Sequence, residues 1–155
     1  MTERVPALGD NPEEDIKAIA MGAIGRSLGL SKDDIKPGLV MAKGLMDAGR
    51  VEKAFEIYTG LVLLEPTNVD VQLGLANCAV QLQRYSLAIQ AASVAMIMDP
   101  TSPRPYYFSG VACLALGHFD EAKEDLTDVL KLAKDRKDAE MLQSAKKLLD
   151  GLVAA

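Results

Sequence analysis

Apolar residues in the middle of this chain recur at steps of three and four. Val51, Ala54, Phe55, Tyr58, Leu61 and Val62 fall on one face of a helix, and Pro66 ends the pattern. Upstream, Pro37 suits the first position of a preceding helix, where its missing N–H forfeits no hydrogen bond, and Gly49 permits the left-handed residue that closes it. The two segments predict a helical hairpin too short to bury its own apolar face. Near the start, Asn11 and Pro12 read as cap and first turn of an amphipathic helix over 13–30, after a flexible segment 1–12; it carries Ile16, Ile19, Ala20, Met21, Ile24 and Leu28. Near the end, Met141, Leu142, Ala145, Leu148 and Leu149 predict a further amphipathic helix within 137–155. No segment reads as a strand.

The hairpin repeats. Glu65-Pro66-Thr67-Asn68 returns after 34 residues as Asp99-Pro100-Thr101-Ser102. The same interval relates Ala54, Ala88 and Ala122; Val51, Tyr85 and Phe119; and Ala42, Ala76 and Gly110. Gly49 and Gly117 stand two periods apart with Gln83 between them, as do Pro37 and Pro105. Three units follow, 35–68, 69–102 and 103–136, and a period of this size signals stacked helical repeats. Asn68 and Ser102 are placed to cap the helices that follow, by accepting a first-turn N–H on the side chain. In the third unit Lys134 replaces the proline of the other two, so its second helix is expected to run on.

Composition narrows the function classes. The chain has 155 residues, 22 acidic against 17 basic, and a formal charge of -5. That is the size of one domain, and it lacks the basic footprint of a nucleic-acid binder, so no nucleic acid is expected as a partner. No apolar run approaches the roughly 18 to 20 residues that span a bilayer, so direct membrane insertion is not expected. Glu3, Asp10, Glu13, Glu14 and Asp15 leave no room for the apolar core of a secretory signal, and a cytosolic protein is expected. Cys78 and Cys113, 35 positions apart, match neither a disulfide framework nor a metal motif and read as small buried hydrophobes. His118 is the single histidine and lies in a Gly-His-Phe turn without a triad around it. With no phosphate-binding glycine loop either, the expectation is a non-enzyme without cofactor or metal.

Each unit has a small residue at its eighth position, an aromatic or aliphatic one at its seventeenth and an alanine at its twentieth. The first two have proline at the thirty-second. The pattern resembles the tetratricopeptide repeat. The resemblance implies an all-α tetratricopeptide-repeat superhelix of three helical hairpins, with the N-terminal helix in front and a C-terminal helix capping the last apolar face. In that register the second, fifth, ninth and twelfth positions of each unit face a concave groove. They are Lys36, Leu39, Lys43 and Met46; Asp70, Leu73, Asn77 and Val80; and Arg104, Tyr107, Val111 and Leu114. The candidate peptide-binding residues are Leu39, Lys43, Met46, Leu73, Asn77, Val80, Arg104, Tyr107, Val111 and Leu114. Three client side chains buried at about 1.5–3 kcal/mol each give roughly 5–9 kcal/mol before ordering costs, which points to micromolar binding.

Over nearly its whole length the chain further resembles the class II, SycD-like chaperones of bacterial type III secretion systems. Asp99-Pro100, Pro103-Arg104-Pro105-Tyr106-Tyr107, Cys113-Leu114, Leu116-Gly117 and Tyr85-x-x-Ala88 carry this likeness. It implies an ATP-independent cytosolic chaperone that holds two hydrophobic translocator proteins soluble and apart before export. An N-terminal client segment with spaced apolar and proline residues would lie in the groove. It also implies a homodimer through the N-terminal helix, at Ile16, Ile19, Ile24 and Leu28; packing of that helix on its own first repeat is the alternative. The chain departs from the family in having no aromatic before Phe55, where the family's leading helix often has several. Two other readings stand beside it. One is a general adaptor that binds a partner's C-terminal peptide through Lys43, Asn77 and Arg104. The other is a fixed subunit of a larger secretion or assembly apparatus.

Overall fold

The structure, a computed structural model, describes residues 35–154. Among these are seven helices and no strand: α1 Ile35–Asp47, α2 Val51–Leu64, α3 Val69–Gln81, α4 Tyr85–Met98, α5 Pro103–Leu116, α6 Phe119–Arg136 and α7 Ala139–Ala154. Helices begin at 51, 85 and 119 and again at 69 and 103, repeating the 34-residue period of the sequence. Without a proline at Lys134, α6 runs for 18 residues where α2 and α4 have 14. Pro37 is the third residue of α1 as described, rather than its first. The N-terminal helix expected over 13–30, with Ile16, Ile19, Ile24 and Leu28, lies outside the described residues.

Each helix packs on the next, and α1, α3, α5 and α7 also touch in succession along one side of the stack. The small positions make this spacing possible. Ala42, Ala76, Ala54, Ala88 and Ala122 are completely buried, one small side chain in each of α1 to α4 and α6. At Gly110 an added Cβ would sit 2.9 Å from Cγ of Leu126, the largest side chain sealed in the core. Both thiols are unpaired and buried, and the Cys78 thiol lies 3.2 Å from the Met46 sulfur. Burial pushes the Cys78 thiol up to about 11, so it packs as a neutral hydrophobe.

The turns share one geometry. Gly49, Gln83 and Gly117 all have left-handed backbones, with φ of 73°, 58° and 78°. In each, the N–H of this residue returns to the carbonyl three before it, and the next N–H to the carbonyl five before it. For Gln83 the bonds are to Val80 at 3.1 Å and from Arg84 to Ala79 at 2.7 Å. Two of these positions are glycine; at Gln83 the packed helices impose the conformation on a residue with a Cβ. Arg84, next in line, lays its guanidinium 4.6 Å from the centre of the Phe55 ring and so joins the second turn to α2. Arg136 at the end of α6 binds back to Asp99 at 3.3 Å and to the Thr101 hydroxyl at 2.6 Å, clasping the turn before α5. The Thr101 hydroxyl, and after it Arg136, holds the Asp99 carboxyl below its ordinary range.

The two expected caps differ. Asn68 Oδ1 accepts the Val71 N–H at 3.2 Å and caps α3. Ser102 occupies the equivalent place before α5 but its side chain makes no capping bond. The donor that Asn68 uses is three residues on, and three residues after Ser102 stands Pro105, which has no N–H.

Candidate functional site

The leading helices leave an open groove of about 520 Å³. From α1 it is lined by Leu39, Val40, Lys43, Met46 and Asp47; from α3 by Asp70, Leu73, Gly74 and Asn77; from α5 by Arg104 and Phe108; and from α2 by Tyr58 alone. Steps of three and four within each helix put these residues on one face, and contact between successive leading helices joins the faces into one surface. Leu39, Met46, Leu73 and Phe108 supply apolar area, while Lys43, Asp47, Asp70 and Arg104 are exposed charges along it.

Six of the ten candidate groove residues meet here: Leu39, Lys43, Met46, Leu73, Asn77 and Arg104. The other four are placed differently. Val80 packs on Ala79, Ala88 and Ala112 between repeats. Tyr107 and Leu114 pack on the cluster of Leu126, Val129 and Ala145, together with Leu148 and Leu149 of α7. Val111 is half-buried on α5 and is not among the groove's lining. For Tyr107 and Leu114 the reason is the end of the stack: the cluster they pack on joins α6 to α7, and α7 lies beside α5 as α5 lies beside α3.

A register of inward positions misses Val40, Asp47, Tyr58, Gly74 and Phe108, and of these Tyr58 and Gly74 shape the groove floor. Tyr58 belongs to the apolar stripe of α2 and is only 6% exposed, yet it lies against α3 and lines the groove. A Cβ added at Gly74 would collide with Cε1 and Cζ of that ring, so the ring lies directly on the α3 backbone. The signal was in the sequence: the sixth position of the repeat is Val40, then Gly74, then Phe108, a glycine where its equivalents are bulky. Burial above all, and then electrostatic coupling to Cys78, Asp70 and Asp47, raises the Tyr58 phenol above its ordinary value, so it keeps its proton. Asn77, one turn beyond Gly74, accepts a bond from Gln81 Nε2 at 3.0 Å on its Oδ1.

A second group of titratable side chains sits between α5 and α6. Burial raises the Asp125 carboxyl against a bond from Ser109, and the neighbouring Asp128, Glu124 and Glu121 raise it further. Among the described residues no set of three or more His, Cys, Asp and Glu is placed to hold a metal ion. No helix among them is long and apolar enough to cross a membrane.

Models of the tetratricopeptide repeat match residues 45–96 and 103–136. Among curated proteins, the chain is 29% identical over 113 residues to the TPR repeat-containing thioredoxin TDX of Arabidopsis thaliana, covering 73% of this chain and 30% of that protein. It is 27% identical over 115 residues to the low calcium response locus protein H of Yersinia pestis, covering 74% of this chain and 68% of that protein. The chain spans 30% or less of the length of the first curated relatives it matches. Among solved structures, PcrH of Pseudomonas aeruginosa in complex with the chaperone binding region of PopD is similar with a TM-score of 0.75 and 27% identity. That match covers 81% of this chain and 96% of the other.

Proposed function

Because the chain is a tetratricopeptide-repeat protein with an open groove along its leading helices, we propose that it is a type III secretion chaperone that seats a segment of a hydrophobic translocator there. The observation that carries this reading is the groove itself, an apolar strip of Leu39, Met46, Leu73 and Phe108, in a fold similar to a chaperone solved with a translocator segment. These four side chains are half-buried, and Val40 beside them is exposed; such a strip gains from a partner's apolar side chains, and a superhelix of helix pairs offers it to an extended chain. In this reading the protein acts in the bacterial cytosol by binding rather than catalysis. It keeps its clients soluble and apart until export, and pairs with a second copy through Ile16, Ile19, Ile24 and Leu28.

The adaptor reading also draws on the groove, since Lys43, Asn77 and Arg104 all line it. Asp47 and Asp70 line it too, and two carboxylates beside the proposed clamp disfavour a C-terminal carboxylate. The test is purification of the tagged chain from its native host with mass spectrometry of what accompanies it, repeated with Leu73→Glu. Exported proteins with apolar spans should accompany the wild type and be lost from the variant, with helical content unchanged by circular dichroism. Their retention by Leu73→Glu would remove the groove from the mechanism, and partners held by their C-terminal tails would establish the adaptor instead.

A further inference from the structure

The groove floor contains a polar group that the fold leaves unanswered. Tyr58 is 94% buried by its 6% exposure, and its ring is fixed against the α3 backbone at Gly74. No described group takes a hydrogen bond from its hydroxyl or gives one to it. Yet no sealed polar side-chain atom among the described residues lacks a partner, so the hydroxyl oxygen must reach accessible surface; the groove is where Tyr58 does so. A phenol held this way donates or accepts one bond without moving, which makes it a fixed recognition point.

A carboxylate stands one turn away: Asp70 precedes by four residues on α3 the Gly74 backbone on which the Tyr58 ring lies. Asp70 and Asp47 line the groove with Tyr58 and, after burial and Cys78, raise its phenol. Lys43 and Arg104 line the same groove from α1 and α5. Neither aspartate is tied up: the ion pair among the described residues is Arg136 with Asp99, and Asp47 and Asp70 make no hydrogen bond there. Apolar surface lies on both sides, Leu39 and Met46 on α1 and Leu73 and Phe108 across α3 and α5.

We propose that the floor of the groove reads a cationic side chain: the client segment presents a lysine or arginine to the Tyr58 hydroxyl and the Asp70 carboxylate, with apolar neighbours seated on Leu39, Leu73 and Phe108. This deepens the chaperone reading and rests on it. A cation there satisfies the oxygen of the buried phenol as acceptor and pairs with the exposed Asp70 carboxylate through a charge-assisted bond. It also gives selectivity that leucine-sized pockets lack, since an apolar strip discriminates poorly between apolar segments.

The test selects peptides from a random phage-displayed library on the wild-type chain and on Asp70→Asn, followed by fluorescence anisotropy on the best wild-type peptide and its Lys→norleucine form. The wild type should recover peptides with Lys or Arg between apolar residues and bind the parent about tenfold more tightly than the norleucine form. In Asp70→Asn that ratio should fall below about twofold. Tyr58→Phe keeps the ring over Gly74 and should reduce the ratio by about threefold, with an unchanged circular dichroism spectrum. An apolar consensus without a basic residue, or a ratio that survives Asp70→Asn, would overturn the inference and leave the groove as the client site. Recovery only of peptides that bind Leu73→Glu equally well would overturn both.

Discussion

Replacing Gly74 by alanine tests how the groove floor is built. In the middle of a helix such as α3 this change ordinarily stabilises, by up to about 1 kcal/mol, because glycine loses more backbone freedom on folding. Here the new methyl would fall well inside van der Waals distance of the Tyr58 ring, and a ring only 6% exposed within the core cluster has little room to turn. Overpacking of this kind costs about 1–3 kcal/mol, and a contact this close belongs at the upper end. The net loss for Gly74→Ala is therefore about 2 kcal/mol, a fall in Tm of roughly 4–8 °C for a chain of this size. In a Tyr58→Val background, which keeps an apolar side chain but none of the colliding ring atoms, the same substitution should stabilise by about 0.5–1 kcal/mol. Urea unfolding of the four proteins, followed by far-ultraviolet circular dichroism, measures the cycle. Equal destabilisation by Gly74→Ala in both backgrounds would refute the placement of the ring on the α3 backbone.

Two further substitutions test local structure. Gln83→Gly should stabilise the fold by about 1 kcal/mol, because a left-handed residue with a Cβ is strained; Gly117→Ala should destabilise it by a similar amount, both read from urea midpoints. Asn68→Ala should cost about 1 kcal/mol and Ser102→Ala only a few tenths, since the first removes a capping bond and the second has none to remove. Equal costs would mean that Ser102 does cap α5.

Much of this architecture was legible in the residues. The spacing of Val51, Ala54, Phe55, Tyr58, Leu61 and Val62 marks α2, and the recurrence of Ala54 at Ala88 and Ala122 marks the repeat. Pro66 and Pro100 mark where second helices stop, and Lys134 marks the one that runs longer. These are local signals, because helix period, left-handed turns and caps depend on a few neighbouring residues. The groove was legible only in part. Leu39, Lys43, Met46, Leu73, Asn77 and Arg104 follow from the repeat register, but the register treats all units alike and the stack does not: α7 covers Tyr107 and Leu114 because the third unit is the one α7 closes.

The sequence by itself determined the period, the helices, the small residues between them and the charge that disfavours nucleic acid, since each depends on residue type at a fixed interval along the chain. Only the tertiary structure decided which inward positions stay open, that Gln83 takes a glycine's conformation, and that Tyr58 reaches the groove. Each of those outcomes depends on what a second or third helix leaves unfilled. Gly74 shows the difference: along the chain it is one weak residue in a helix, and in the fold it is the space that the Tyr58 ring occupies.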